Sequence, residues 1–476
     1  MVNTEMTSPS VDTIDIGEYT LKEYVPAKAF ESNLKITFTD ANEQDIVKPL
    51  PGGQLNCGPT LKFPFALEGY LPTCVTIQEA NELVTADENT HTKRVLELIL
   101  DISALGTLDY MPGDTVGILP KNAKTVVEQL LQRLELSEQA DSICRVDLSL
   151  HCAKKNAKVP GHIPATTTPR EIFTHCLSLN AVPQKQFLSA LAKYTSNINE
   201  REFLASLSSK HGAAHYHTLI LEQGLCLQDL LELCPSCKPT LALLVEHLPR
   251  LLPRPYSIAN SPLECSKHQL SIIFSIRAPK PGVTTSMLDA LIAQHKQKEH
   301  QKPVELNIYP RMHNAFRYTE EHFTGNQILI AVGTGVAPFL GFLAHKAQNH
   351  ELATGLTWLY MGAKTPQAIP KLDKLFEWHE TGLIQCLNIC TSRDSTEGGP
   401  KYVHELLEED AETLVNFLLD PKTVLYVCAD GAKISKSISQ SLSSCLQQAL
   451  ELNETEAAQE IQEMRTKGKY REDLWI

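Results

Sequence analysis

Residues 326–343 read NQILIAVGTGVAPFLGFL. An apolar run ends in Gly333-Thr334-Gly335, and Pro338 follows where a helix carrying Phe339, Leu340, Phe342 and Leu343 begins. Glycine lets the backbone come close to an anion, the first helical turn offers N–H donors, and proline needs no donor there. On its own the turn suits any tight strand-to-helix junction as well as it suits a nucleotide phosphate.

The sequence downstream extends the pattern. LTWLYM (356–361), LIQCLNIC (383–390) and TVLYVCA (423–429) are short apolar runs, separated by helical stretches such as KYVHELLEEDAETLVNFLL (401–419). Strands alternating with helices predict a parallel, doubly wound sheet over residues 323–476, whose ligand crevice lies at the carboxyl ends of its strands. Ser392 and Arg393 follow one such strand, and Lys401 and Tyr402 open the next helix. A hydroxyl, two cations and a flat ring there suit a 2'-phosphate and its adenine, which mark NADP rather than NAD. Read singly, the same residues suit a solvated surface loop.

Upstream the rhythm changes. TCVTIQEANELV (73–84), RVLELILDIS (94–103) and TVGILP (115–120), the last following the turn MPGD, read as strands of an antiparallel barrel. Residues 121–245 turn helical, as in TVVEQLLQRLEL and KQFLSALAKYTS, and RPYSIANS (254–261) and QLSIIFSIRA (269–278) restore strand character. The expected organisation is a leader or linker over 1–66, a barrel over 67–120 and 246–322 interrupted by a helical insertion over 121–245, and the parallel-sheet domain. Arg254, Tyr256 and Ser257 on a barrel strand, with Gly282, Val283, Thr284 and Thr285 at a helix start, could grip a diphosphate, lie on an isoalloxazine ring and reach its edge. An Arg-x-Tyr-Ser run also occurs in ordinary strands. The terminal KYREDLWI places Asp473 and Trp475 at a chain end, where an aromatic side chain suits docking on something flat or a simple core anchor.

The 476 residues allow two or three domains, and no apolar run is long enough to span a bilayer. A net charge of −13 argues against nucleic acid as a partner, and the polar first residues differ from a secretory signal. The 13 cysteines are odd in number and scattered, which suits reduced thiols in the cytoplasm. Cys234 and Cys237 form a lone CPSC pair with no second pair nearby, so no metal is expected.

RPYSIANS, GVTTSML (282–288), AVGTGVAPFLGFL, TSRD (391–394), YVCADGAKISK (426–436) and the terminal DLW occur in the order found in the diflavin reductases, which this chain resembles from about residue 70 to 476. HIPATTTP, AVPQKQFLSALAKYTS, HGAAHY and HLPRLLPRPYS look closest to the methionine synthase reductases of animals. The resemblance implies that Arg254, Tyr256, Ser257, Gly282, Val283, Thr284 and Thr285 hold FAD, with Trp475 over the flavin ring. It implies NADPH on Gly333, Thr334, Gly335, Ser392, Arg393, Lys401, Tyr402 and Asp430, and a hydride path lined by Ser257, Cys428, Asp473 and Trp475. The sequence departs from the family at Val332, usually proline; at Thr284, cysteine in close relatives; and at Met287, often aromatic. Ala363 and Lys364 replace a Gly-Cys-Arg ending, and His404 replaces a glutamine near the 2'-phosphate. A flavodoxin-like FMN domain would need about 140 residues, which do not fit before Leu71. FMN is therefore expected only on a separate protein or in a longer form, with that FMN protein or cobalamin-dependent methionine synthase as electron acceptor. A reductase for another acceptor such as a haem protein, and a non-catalytic partner-binding remnant, are the alternatives.

Overall fold

The computed structural model describes residues 13–28, 32–39, 62–150, 156–264, 267–277, 280–297, 302–319, 322–394 and 399–475. Thirteen strands lie among them: β1 (Leu34–Phe38), β2 (Thr73–Val84), β3 (Arg94–Asp101), β4 (Thr115–Ile118), β5 (Cys144–Leu148), β6 (Arg254–Ser257), β7 (Gln269–Ile276), β8 (Glu305–Pro310), β9 (Asn326–Val332), β10 (Thr357–Ala363), β11 (Cys386–Thr391), β12 (Thr423–Asp430) and β13 (Tyr470–Trp475). The chain divides into two compact units, Met1–Lys62 with Pro120–Leu252, and Phe63–Leu119 with Pro253–Ile476.

The first unit is mainly helical. In the helix Lys185–Lys193, Phe187, Leu188 and Leu191 recur at helical spacing and are buried, as are Phe173 and Phe203 from neighbouring turns of the same core. Asn197 caps the helix Ile198–Ser208 by accepting hydrogen bonds from the backbone N–H groups of Asn199 and Glu200. Within the stretch read as a leader, residues 34–38 form β1, which pairs antiparallel with β5 from Leu34 opposite Leu148 to Phe38 opposite Cys144. Ile14, Ile16 and Tyr19 pack on the helical core as well. Five residues of alternating burial are too short a run for periodicity to reveal, and their partner strand lies in the insertion.

The second unit holds two sheets. Six antiparallel strands run in the order β6-β4-β8-β2-β3-β7. The sheet closes on itself where Ile258, just past β6, bridges Ile272 on β7 and Ala259 donates its N–H to the Ser271 carbonyl at 2.8 Å. On β3, Leu96, Leu98 and Leu100 point into the barrel core, whereas Val95 on the opposite face joins the core of the following sheet. That sheet is parallel, in the order β11-β10-β9-β12-β13. Its central strands β9, β10 and β12 are buried on both faces: Leu329, Ala331, Leu359, Met361 and Cys428 face one hydrophobic cluster, and Ile328, Ile330, Tyr360, Leu425 and Val427 face the other. The helix Ala337–Gln348 covers the first face, and the helices Val403–Glu409 and Ala432–Leu450 contribute to the second. The fold is the one expected from the sequence, an antiparallel barrel followed by a doubly wound parallel sheet. Among the described residues no helix is long and apolar enough to cross a membrane.

Candidate active site

β9 and β12 are neighbours in the sheet, but the chain leaves β9 towards β10 and β11 before returning to β12 on the other side. A crevice opens at the carboxyl ends of strands where the order reverses in this way. The glycine turn sits there. Gly333 has φ +58°, in the left-handed region, and a Cβ placed on it would meet nothing within 4 Å. Its backbone therefore faces open space. A Cβ on Gly335 would lie 2.1 Å from the Cys428 carbonyl oxygen, so this residue is glycine because the turn is pressed against β12. Pro338 then lies in the first turn of the helix Ala337–Gln348.

A cleft of about 460 Å³ opens beside the turn. Gly333, Thr334, Ser392, Lys401 and Tyr402 line it, so five of the expected nucleotide residues meet on one wall system. Glu405 fixes the start of its helix by accepting the backbone N–H groups of Lys401 at 2.6 Å and Tyr402 at 3.1 Å. Tyr402 is 53% exposed, and its ring stacks on His404 with centroids 5.5 Å apart and planes 9° apart. The side chain of Arg393 is exposed and does not line the cleft, although its N–H anchors the loop to the Lys364 carbonyl at 2.8 Å. Gly335 is buried behind the turn. Sequence reading missed Thr92 and Lys93, which line the cleft from the barrel side, and gave Lys364 only as a departure. Thr92 and Lys93 stand in a polar turn before β3, where no local pattern distinguishes them.

The expected flavin residues gather around the barrel core. Arg254 is exposed on β6, and Tyr256 is half-buried with its ring edge-on to Phe274, centroids 6.0 Å apart. Burial pushes the Tyr256 phenol up from its usual range. Gly282 caps the helix Val283–Lys296, Thr284 is buried inside its first turn, and the Thr285 hydroxyl donates to the Gly282 carbonyl at 3.0 Å. Tyr256 and Met287 both pack on the hydrophobic cluster of the barrel core.

Three of the expected hydride-path residues also converge. Ser257 donates its hydroxyl to Asp473 Oδ2 at 2.8 Å. Asp473 on β13 stands opposite Cys428 on β12, and Cys428 in turn stands opposite Ala331 on β9, two residues before the glycine turn. Cys428 is fully buried, and burial first, then the Asp473 carboxylate, push its thiol well above the ordinary range. It is therefore a neutral, soft contact rather than a nucleophile. The side chains of Asp430 and Trp475 lie outside the described residues, and their backbones pair in register between β12 and β13.

A closed antiparallel barrel, a doubly wound sheet with a glycine turn at its switch point, and a polar link between the two define a flavoprotein oxidoreductase architecture with FAD- and NAD(P)-binding domains. Residues 70–280 match the FAD binding domain family, and residues 329–434 match the oxidoreductase NAD-binding domain family. The chain is 33% identical over 428 residues to the methionine synthase reductase of Mus musculus, covering 84% of this chain and 61% of that protein. It is 32% identical over 428 residues to that of Homo sapiens, covering 84% and 60%, and 29% identical over 392 residues to the NADPH–cytochrome P450 reductase of Drosophila melanogaster, covering 79% and 55%. The chain is thus related to the diflavin reductases, with both their FAD-binding and NAD-binding oxidoreductase domains, and it spans about three fifths of the length of its methionine synthase reductase relatives.

Proposed function

We propose that this chain is an NADPH-dependent FAD oxidoreductase module that passes electrons to an FMN-bearing protein or domain and through it to methionine synthase, as the similarity to methionine synthase reductases suggests. The observation that carries the reading is the Ser257–Asp473 hydrogen bond, with Asp473 opposite Cys428 in the sheet and the glycine turn packed against the Cys428 carbonyl. The residues of the cleft fit NADPH: open space over Gly333 admits a phosphate, and the cationic, hydroxyl-bearing wall at Ser392 and Lys401 suits a 2'-phosphate. When bound, a reduced nicotinamide supplies two electrons as hydride and FAD accepts them.

In this reading Ser257 and Asp473 hold polar positions at the meeting place of the two rings, and the buried Cys428 helps to exclude water. Arg254 and the start of the helix Val283–Lys296 hold the FAD diphosphate, and Tyr256 supports the flavin ring. In this reading the barrel lies in two parts around the helical insertion, and β1 of the N-terminal stretch is counted with the insertion rather than as a separate leader. The described cysteines are all free, which supports a reducing, cytoplasmic setting. Similarity to NADPH–cytochrome P450 reductases supports a second reading, in which the acceptor is a haem protein.

The test is an absorbance spectrum of the purified protein, followed by anaerobic addition of one equivalent of NADPH or NADH. Flavin bands that bleach far more readily with NADPH are expected. A colourless protein, or a yellow one that neither nucleotide bleaches, would refute the reading.

A further inference from the structure

Between its charged ends, Arg94 and Asp101, β3 is apolar except at Glu97, which is only 5% exposed. A carboxylate buried in a barrel wall is costly unless a cation meets it. The cation comes from the nucleotide-binding sheet: Lys371 Nζ lies 2.6 Å from Glu97 Oε1. Ser271 on β7 donates its hydroxyl to the same oxygen at 2.9 Å, and Asn81 on β2 lies within 3.5 Å of the other oxygen. Lys371 reaches the pair from a left-handed backbone, φ 53° and ψ 39°, as the cap of the helix Leu372–Glu380. Lysine gains nothing from that conformation by itself, so the surrounding contacts hold it there.

The place of this pair in the fold gives it a role. Side chains two apart on a strand share a face, so Glu97 projects beside Val95, which lines the cleft together with Ser275, its partner on β7. On the other side, the segment leaving β10 puts Ala363, Lys364 and Ala368 into the cleft wall and ends at Lys371. The same segment is tied at its start, where the Lys364 ammonium donates to the His91 carbonyl next to the cleft residues Thr92 and Lys93. Both walls of the cleft are thereby fixed to each other immediately outside it.

We propose that Glu97 and Lys371 are positioning residues, whose ion pair sets the spacing between the barrel wall and the β10 wall of the nucleotide cleft and so aligns the nucleotide with the flavin. The inference rests on the nucleotide reading of that cleft. It assigns to a pair outside the lining of the cleft a share of both nucleotide affinity and the rate of flavin reduction.

The decisive variant is Lys371→Asn, because asparagine tolerates the left-handed backbone while the charge is lost. Glu97→Gln, which keeps a partner for Ser271, is the second, and Lys371→Arg is the conservative rescue. Lys374→Ala serves as control, since it breaks the more exposed pair with Glu264 on the same helix. The measurements on the FAD-loaded protein are NADP⁺ affinity by calorimetry, amide hydrogen exchange over residues 362–372 and 91–97, and the limiting rate of flavin bleaching at saturating NADPH. Lys371→Asn and Glu97→Gln are expected to weaken NADP⁺ binding, speed exchange in both segments and slow the limiting rate on the order of tenfold, short of the hundredfold that a displacement of about 1 Å can cost. Lys371→Arg should recover most of this and Lys374→Ala should show little change. A defect confined to thermal stability, with affinity, exchange and rate as in the parent, would make the pair merely structural and overturn the proposal. If the parent itself binds no NADP⁺, the nucleotide reading falls and takes this inference with it. A parent that binds and is reduced, with variants indistinguishable from it, sinks the positioning role alone.

Discussion

Ser257 and Asp473 are 216 residues apart in the chain and joined by a hydrogen bond of 2.8 Å. Ser257 ends the short barrel strand β6, and Asp473 lies in the edge strand of the parallel sheet, so one polar contact ties the two sheets at the carboxyl end of β12. The bond is buried on the serine side, where Ser257 is 4% exposed, and an aspartate there keeps a fixed partner instead of a mobile hydration shell.

Replacing either partner should therefore act on the reaction more than on cofactor retention. Ser257→Ala and Asp473→Asn are expected to keep bound FAD while slowing NADPH-driven bleaching by one to two orders of magnitude, roughly the cost of lost alignment. Cys428→Ala should slow it only a few-fold, because its neutral thiol contributes contact rather than charge. Rapid anaerobic mixing measures all three, and rates equal to the parent for both Ser257→Ala and Asp473→Asn would remove these residues from the hydride path.

The two glycines of the turn should respond differently to the same methyl group. At Gly333 there is room but a left-handed backbone, so Gly333→Ala is expected to cost about 1 kcal/mol of stability. At Gly335 the methyl would overlap the Cys428 carbonyl, so Gly335→Ala should cost about 1–3 kcal/mol and also push the turn off β12, weakening NADP⁺ binding more than Gly333→Ala does. Denaturant melts with calorimetric NADP⁺ titrations check both orders of effect.

The fold was legible where local pattern and tertiary role coincide. β9, β10 and β12 are buried on both faces and read as continuous apolar runs, and the glycines are required by a positive φ and by a close approach. β1 was not legible, because its five residues matter only through β5, more than 100 positions away. Among the candidate site residues, those on strand ends and helix starts, such as Ser257, Lys401 and Tyr402, were readable from spacing and family motif. Thr92, Lys93 and the Glu97–Lys371 pair were not, because what makes them matter is the approach of a distant segment. A buried glutamate in an apolar strand was nevertheless a signal, since its charge demands a partner somewhere.

Nucleotide preference should reside in the wall made by Ser392 and Lys401. Losing a hydrogen bond from a charged group costs about 1.5–3 kcal/mol, which is roughly tenfold to a hundredfold in affinity. Lys401→Ala is expected to raise KM for NADPH by about that factor and Ser392→Ala by less, with KM for NADH nearly unchanged in both. The NADPH effect should shrink as salt rises, because Lys401 is exposed and screened. Steady-state kinetics with both nucleotides at two ionic strengths decides it, and equal losses for NADPH and NADH would place the 2'-phosphate elsewhere.

Acid should destabilise the protein through a histidine that the folded state keeps neutral. His345, on the helix Ala337–Gln348, is 4% exposed and shares a 2.8 Å hydrogen bond with the Ser261 hydroxyl. Burial pushes its pKa down to about 4, against about 6.5 for an unfolded histidine. Well above about pH 6.5 both states are neutral and the residue gives no pH dependence. As pH falls from there, the unfolded chain takes up the proton first, so stability is lost progressively until the folded pKa is reached, at up to about 1.4 kcal/mol per pH unit. His162 and His175, in the other compact unit, are likewise pushed down to about 4 by burial and should steepen the loss in the same window. His345→Gln keeps a hydrogen-bonding group without the titration, so its urea-unfolding free energy should fall less steeply than the parent's between about pH 6 and pH 4.5, by roughly the slope of one proton. Identical slopes for parent and variant would mean that His345 charges in the folded protein at its ordinary pH, and that its site admits water when the proton arrives.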